Sequence, residues 1–222
     1  MNDQLHLTDD EQVEQLKKWW KENGTSIVIG IVIGLSAVVG YWQWNKYQET
    51  RSLAASAQYE IFTESLASDK KDQVTAALDT LKSEYEGTTY AALAAMLTAS
   101  NLVKEKDIKK AIENLKWAYE HSGHDSVQHL ARIRLAKLYV ADNQLTEALA
   151  LIDQAKDPAF DGYYSSIKGD VYSKQGQLEK ARTEYKNALA STSFSGKQRE
   201  YVQMKLDDLG LGSVASSTTS DK

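Results

Sequence analysis

The chain has 222 residues, with 26 Lys and Arg against 31 Asp and Glu and a formal net charge of -5. That balance argues against a nucleic-acid binder, which would present a basic face. Cysteine is absent, which excludes disulfides and thiolate metal sites and leaves the redox compartment unreadable.

The first predicted element is a helix ahead of an apolar run. Thr8 or Asp9 can cap it, Glu11 and Gln12 fall near its third position, and Val13, Leu16 and Trp20 form an apolar stripe. Residues 1–23 are expected to lie as an amphipathic segment at the membrane surface, or to serve as a helical lead-in anchored by Trp19 and Trp20. Asn23-Gly24-Thr25 has the form of a glycosylation sequon and reads as a turn.

From Asn23 to Asn45 there is no charged residue, and Tyr41, Trp42 and Trp44 stand at the exit of the run. A hydrocarbon core of about 30 Å needs about 20 apolar helical residues, with aromatic rings at the headgroups. Residues 24–44 are therefore predicted to be a transmembrane helix. A cleaved export signal would want a short basic leader, a shorter core and small residues after it. The long mixed-charge leader and the bulky Tyr41 to Trp44 favour an uncleaved anchor. Lys17, Lys18 and Lys21 lead Lys46 and Arg51 by one positive charge, so the positive-inside rule places the N-terminus inside and the larger part exported. Within the run, Gly30 and Gly34 form a G-x-x-x-G and Gly40 extends the small residues in a second register, a pattern that lets another helix pack closely.

Beyond the span, residues 45–209 show apolar and Ala residues at spacings of three and four, with Pro158 the single proline and few alternating β-branched runs. The expected class is all-α, one N-terminal transmembrane helix followed by a solenoid of tetratricopeptide-like helical hairpins. Polar breaks fall at 68–72, 86–89, 105–107, 122–126, 142–144, 156–158, 175–177 and 191–196, giving short helices in antiparallel pairs. The strongest repeat signature is Gly169, Tyr172, Gly176, Leu178, Ala181, Tyr185 and Ala188. Ala136, Tyr139, Leu145, Ala148, Ile152 and Ala155 hold the same register one repeat earlier. A weaker copy runs from Ala99 to Ala118, and a degenerate one from Leu53 to Tyr85. Small residues let paired helices approach while Tyr or Leu fills the gap between hairpins, so Gly169 and Ala181 are expected to face each other.

Tyr41 to Ser68 contains no Gly or Pro, which permits the membrane helix to continue into the first repeat helix. Gln198 to Leu209, with Tyr201, Val202, Leu206 and Leu209 on one stripe, is expected to cap the array and to stop at Gly210 and Gly212. Residues 210–222 read as a disordered Ser/Thr-rich tail.

The first helix of each hairpin lines the concave wall of such an array. Leu93, Met96, Ser100 and Val103, then Leu130, Ile133 and Lys137, then Tyr163, Ser166 and Asp170 are the candidate groove positions, suited to an unfolded segment or a partner strand; Leu130 and Ile133 read equally as core.

Catalytic chemistry finds little to stand on. His121 and His124 with Asp125 form the one metal-like spacing, yet zinc needs three or four converging ligands. His121 reads as the end of one helix, Gly123 as the break, and Asp125 or Ser126 as the next cap. Asp69 to Asp72 lacks the Gly and Glu of a calcium loop and reads as a solvated turn. There is no Gly-rich phosphate loop and no Gly-x-Ser-x-Gly elbow, so neither an enzyme nor a cofactor is expected.

The order Glu11-Gln-Val-Glu-Gln-Leu-Lys-Lys-Trp-Trp-Lys-Glu-Asn-Gly24, then a Gly-spaced span, an aromatic exit and degenerate repeats, resembles the YfgM family of bacterial inner-membrane proteins, ancillary subunits of the SecYEG translocon. The resemblance covers nearly the whole chain except the Ser/Thr-rich tail. It implies a single-pass inner-membrane protein with a cytoplasmic N-terminus, periplasmic repeats, and association with SecYEG and the periplasmic chaperone PpiD. A non-catalytic scaffold that also touches exported client proteins is the function so implied. The alternative is a regulatory adaptor whose N-terminal helix or repeats sequester a signalling protein and release it under stress.

Overall fold

The computed structural model describes residues 9–155 and 157–217, and Thr8, one of the two cap candidates, and the tail residues 218–222 lie outside them. Among the described residues there is no strand. The chain divides into two compact units, Met1–Arg51 and Ser52–Lys222.

Helix α1 (Asp9–Ala67) is the one described helix long and apolar enough to cross a membrane. In the first unit many of its apolar side chains, such as Ile33 and Val39, are more than half exposed. Side chains so exposed suit contact with lipid. Asn23 to Thr25 is helical rather than a turn, and the Asn23 side-chain amide donates to the Trp19 carbonyl at 3.0 Å.

The second unit takes the end of α1 and pairs the helices that follow: α2 (Lys71–Glu84), α3 (Thr89–Lys104), α4 (Ile108–Glu120), α5 (Asp125–Ala141), α6 (Leu145–Asp153), α7 (Asp161–Lys174) and α8 (Leu178–Ala190), with α9 (Lys197–Ser217) after them. A 3-10 turn at Pro158–Phe160 leads into α7. The hairpins are the end of α1 with α2, α3 with α4, α5 with α6, and α7 with α8.

Each hairpin turn holds one residue in the left-handed region: Asp69 (φ 51°), Lys106 (φ 65°), Asn143 (φ 62°) and Gly176 (φ 73°). Glycine pays no steric penalty there, Asn and Asp pay little, and a lysine pays most. Lys106→Gly is therefore expected to stabilise the domain by up to about 1 kcal/mol in urea unfolding. Between hairpins, Thr88 caps α3 by accepting from the Ala91 amide at 3.3 Å, and Asp107 caps α4 by accepting from Lys110 at 3.2 Å. The cap of α5 is His124 without a side-chain bond, in place of the expected Asp125 or Ser126. Gly123 is required by closeness as well as by the break: a Cβ there would collide with the backbone oxygen of Gly87.

Three apolar clusters fill the hairpins. Ala91, Ala92, Ala94, Ala95 and Ala99 of α3, with Ala111 and Ala118 of α4, are fully or almost fully covered. Such small faces let two helices approach closely, and Phe62, Leu81 and Leu135 fill the gaps left between pairs. Tyr139 packs against both the first and second clusters. Helix α6 ends at Asp153, so Ala155, expected in the repeat helix, lies beyond it and packs from the loop.

Helix α9 buries Val202 and half-buries Leu206 and Leu209 against the third cluster. Tyr201, expected on the same stripe, is 55% exposed. The helix also passes through Gly210 and Gly212 to Ser217, because a glycine costs a helix only about 1 kcal/mol relative to alanine and does not end it unaided.

Candidate functional site

The repeat-packing residues sit where helices cross. Ala136, Ala148 and Ala181 are fully buried, Tyr185 is nearly so, and Tyr172 is half-buried against the third cluster. Gly169 faces the ring of Tyr185 rather than Ala181: a Cβ at Gly169 would fall on Cδ1 and Cε1 of that ring. The aromatic residue thus occupies the space that the missing side chain leaves.

That contact aims the Tyr185 hydroxyl at Asp170, where it donates to Oδ1 at 2.7 Å, and the Lys205 ammonium reaches the same oxygen at 2.5 Å. Burial, and then the Asp170 charge, hold the Tyr185 hydroxyl far above the usual tyrosine range. A group whose folded pKa is raised adds stability that is complete below its unfolded value and is lost as pH rises toward the folded value. Stability should therefore fall as pH climbs past 10.0, the ordinary tyrosine value. Tyr185→Phe should flatten that alkaline decline relative to the unchanged chain, read as the difference in unfolding midpoint across a pH series.

Most of the candidate groove positions line a trough made of two hollows that share Lys137 and Ala141. Its wider part, of about 710 Å³, is walled by Leu93, Met96, Ser100 and Val103 of α3 and by Arg134, Lys137 and Leu138 of α5. Met96 forms part of the floor, almost wholly covered. A narrower part, of about 310 Å³, runs between Lys137 of α5, Tyr163, Ser166 and Asp170 of α7, and Tyr201 and Lys205 of α9.

Two positions fall elsewhere. Ile133 is 6% exposed and belongs to the second cluster, and Leu130 packs against the first. Arg134 takes the wall position, a register one residue later. The reason is that α5 is apolar on most of its circumference, so periodicity marks no unique face.

A buried polar network joins α4, α5 and α7 and was not legible in the sequence. Arg132, 8% exposed, donates from Nη2 to the Tyr119 hydroxyl at 3.0 Å and lies over the same ring at 4.9 Å. The Tyr164 hydroxyl is 2.6 Å from Nδ1 of His129, whose ring stacks on Phe160 at 4.5 Å and whose Nε2 is 3.6 Å from Asp157. Burial raises the Tyr164 pKa, and the Arg132 charge opposes it. These groups bond to one another across hairpins, with Arg132 Nε alone left without a partner among them, and such a network suits a structural role.

The histidines of the one metal-like spacing serve helix ends. His121 caps α4, stacks on Trp117 at 4.8 Å and approaches the Trp117 carbonyl with Nδ1 at 2.9 Å, and among the described residues no three His, Asp or Glu are grouped to hold an ion. In α1, a Cβ added at Gly30, Gly34 or Gly40 would meet open space, so the small face of the apolar helix is uncovered by protein.

The sequence matches the tetratricopeptide repeat-like domain family over residues 17–211. It is 26% identical to the ancillary SecYEG translocon subunit of Haemophilus influenzae over 203 residues, covering 91% of this chain and 98% of the relative. The protein of the same name from Escherichia coli is 24% identical over 208 residues, covering 94% and 100%. That from Aggregatibacter actinomycetemcomitans is 28% identical over 203 residues, covering 91% and 98%. No solved structure gives a significant match.

Proposed function

We propose that this chain, which belongs to the tetratricopeptide repeat-like domain family, is a membrane-anchored, non-catalytic accessory of the SecYEG translocon. The observation that carries this reading is the extent of the likeness. Relatives bearing the translocon name align over more than nine-tenths of this chain, apolar helix and repeats together, and not over the repeats alone.

In this reading α1 anchors the protein in the bacterial inner membrane through residues 24–44, with residues 1–23 cytoplasmic. Gly30, Gly34 and Gly40 offer close approach to a neighbouring helix. The repeat domain, residues 45–209, faces the periplasm. There it holds the chaperone PpiD near the channel exit and assists exported chains. The trough lined by Leu93, Met96, Lys137 and Tyr163 is its docking surface.

The test is affinity purification of the tagged chain from membranes in mild detergent. Co-purification of the SecYEG subunits with PpiD supports the reading. Recovery of soluble cytoplasmic proteins in their place would overturn it and favour the adaptor. Orientation is measured separately, because the chain lacks cysteine. A membrane-impermeant maleimide should label Lys186→Cys in cells with a permeabilised outer membrane and leave Glu14→Cys unlabelled.

A further inference from the structure

We propose that the trough binds an extended polypeptide segment carrying apolar side chains and a carboxylate, with the carboxylate seated between Arg134 and Lys137. That the segment belongs to an exported chain rests on the translocon reading; its chemistry rests on the trough.

The wider part of the trough has an apolar floor, with Lys104 on its α3 wall and Arg134 and Lys137 on its α5 wall. No acidic residue lines that part, in a chain with 31 acidic residues against 26 basic ones. Helix surfaces turned to solvent ordinarily interleave both signs, as they do elsewhere in this domain with Lys110 and Asp107 or Arg182 and Glu179. Cations collected in a concave apolar wall focus positive potential into it.

The two central cations are also unspent. Among the described residues, neither Arg134 nor Lys137 has an ion-pair partner within 4.0 Å. Asp170 is the acid that acts on Lys137, but its Oδ1 already takes the Tyr185 hydroxyl and Lys205. Lys205 in turn opposes the charge on Lys137. Lys137 is open to solvent by area yet crowded by the walls where the two parts of the trough meet, and this desolvation holds its pKa below the usual lysine range. An incoming carboxylate would compensate that charge, whereas a basic segment would add to the repulsion. The volume admits a few side chains and no folded surface, which selects an extended segment.

The experiment uses the full chain in lipid nanodiscs and fluorescein-labelled peptides of repeating Leu-Val-Glu, Leu-Val-Gln and Leu-Val-Lys, read by anisotropy. The Glu peptide should bind about fivefold tighter than the Gln peptide, the size of one partly exposed ion pair, with the Lys peptide weakest. The preference should shrink at high salt. The double variant Arg134→Gln/Lys137→Gln should bind the Glu and Gln peptides alike. Both replaced side chains are exposed, so an unchanged melting midpoint verifies the fold. Equal binding of Glu and Gln peptides to the unchanged chain, binding of none of them, or a Glu preference that survives the double variant would each overturn the proposal. Co-purification of SecYEG with the unchanged chain separates the two failures, since its persistence would leave the translocon reading standing without the acidic preference.

Discussion

Gly169→Leu is expected to cripple the α7–α8 hairpin. A Cβ at this position already falls on the Tyr185 ring, and a leucine adds three further carbons in the same place. The ring has little room to yield, because Tyr185 is 2% exposed and its hydroxyl is tied to Asp170, which also holds Lys205 of α9. Moving the ring therefore loosens both the hairpin and the helix packed beyond it. Overpacking alone costs about 1 to 3 kcal/mol, and orphaning the buried hydroxyl and carboxylate adds about 1 to 3 more. Such a total is a large share of the stability of a domain of this size. Urea unfolding followed by circular dichroism should show an early transition. A paired variant, Gly169→Leu with Tyr185→Ala, should recover part of the loss, since it removes the obstructing ring. Unchanged unfolding in the single variant would place Gly169 away from the helix crossing.

The hairpin boundaries were legible because two signals coincide at three of the four, at Asp69, Asn143 and Gly176. Apolar spacing of three and four stops where residues tolerant of the left-handed region stand, such as Asn143 and Gly176. Lys106 shows the limit of that logic, as a lysine carries no turn signal and only the polar cluster around it betrays the break. Facing surfaces were harder. On α3 the alanine-rich stripe leaves Leu93 and Val103 for the trough, whereas on α5 the apolar residues surround the helix, and the register slipped by one from Ile133 to Arg134. Tyr185 was expected as gap filler, but its contact with Gly169 depends on the crossing geometry of two helices, which periodicity does not encode. The network of Tyr119, His129, Arg132, Asp157 and Tyr164 left no trace, because its members are scattered over 46 positions and each taken alone is an ordinary polar residue.

A chain carrying Ile33→Arg and Leu35→Arg together is expected to leave the membrane fraction on carbonate extraction. Both side chains lie in the middle of the apolar run and are more than 60% exposed, so the helix has no protein interior in which to hide a charge. Each arginine near the centre of a spanning helix costs about 2.5 to 3.5 kcal/mol, and the lost Ile and Leu forfeit a few tenths each. Two such charges outweigh the gain from the remaining apolar residues, and neither sits close enough to an end to reach the headgroups. The domain from Ser52 onward is a compact unit with its own clusters, so the released protein should keep its helical circular dichroism and cooperative melting. Retention of the double variant would shift the anchoring role to the flanks, where Leu16, Trp19 and Trp20 present exposed apolar surface before the run. Release with an intact domain would make membrane residence a property of this run alone, and any co-purification of the translocon that then disappears would be traceable to lost tethering rather than to lost repeats.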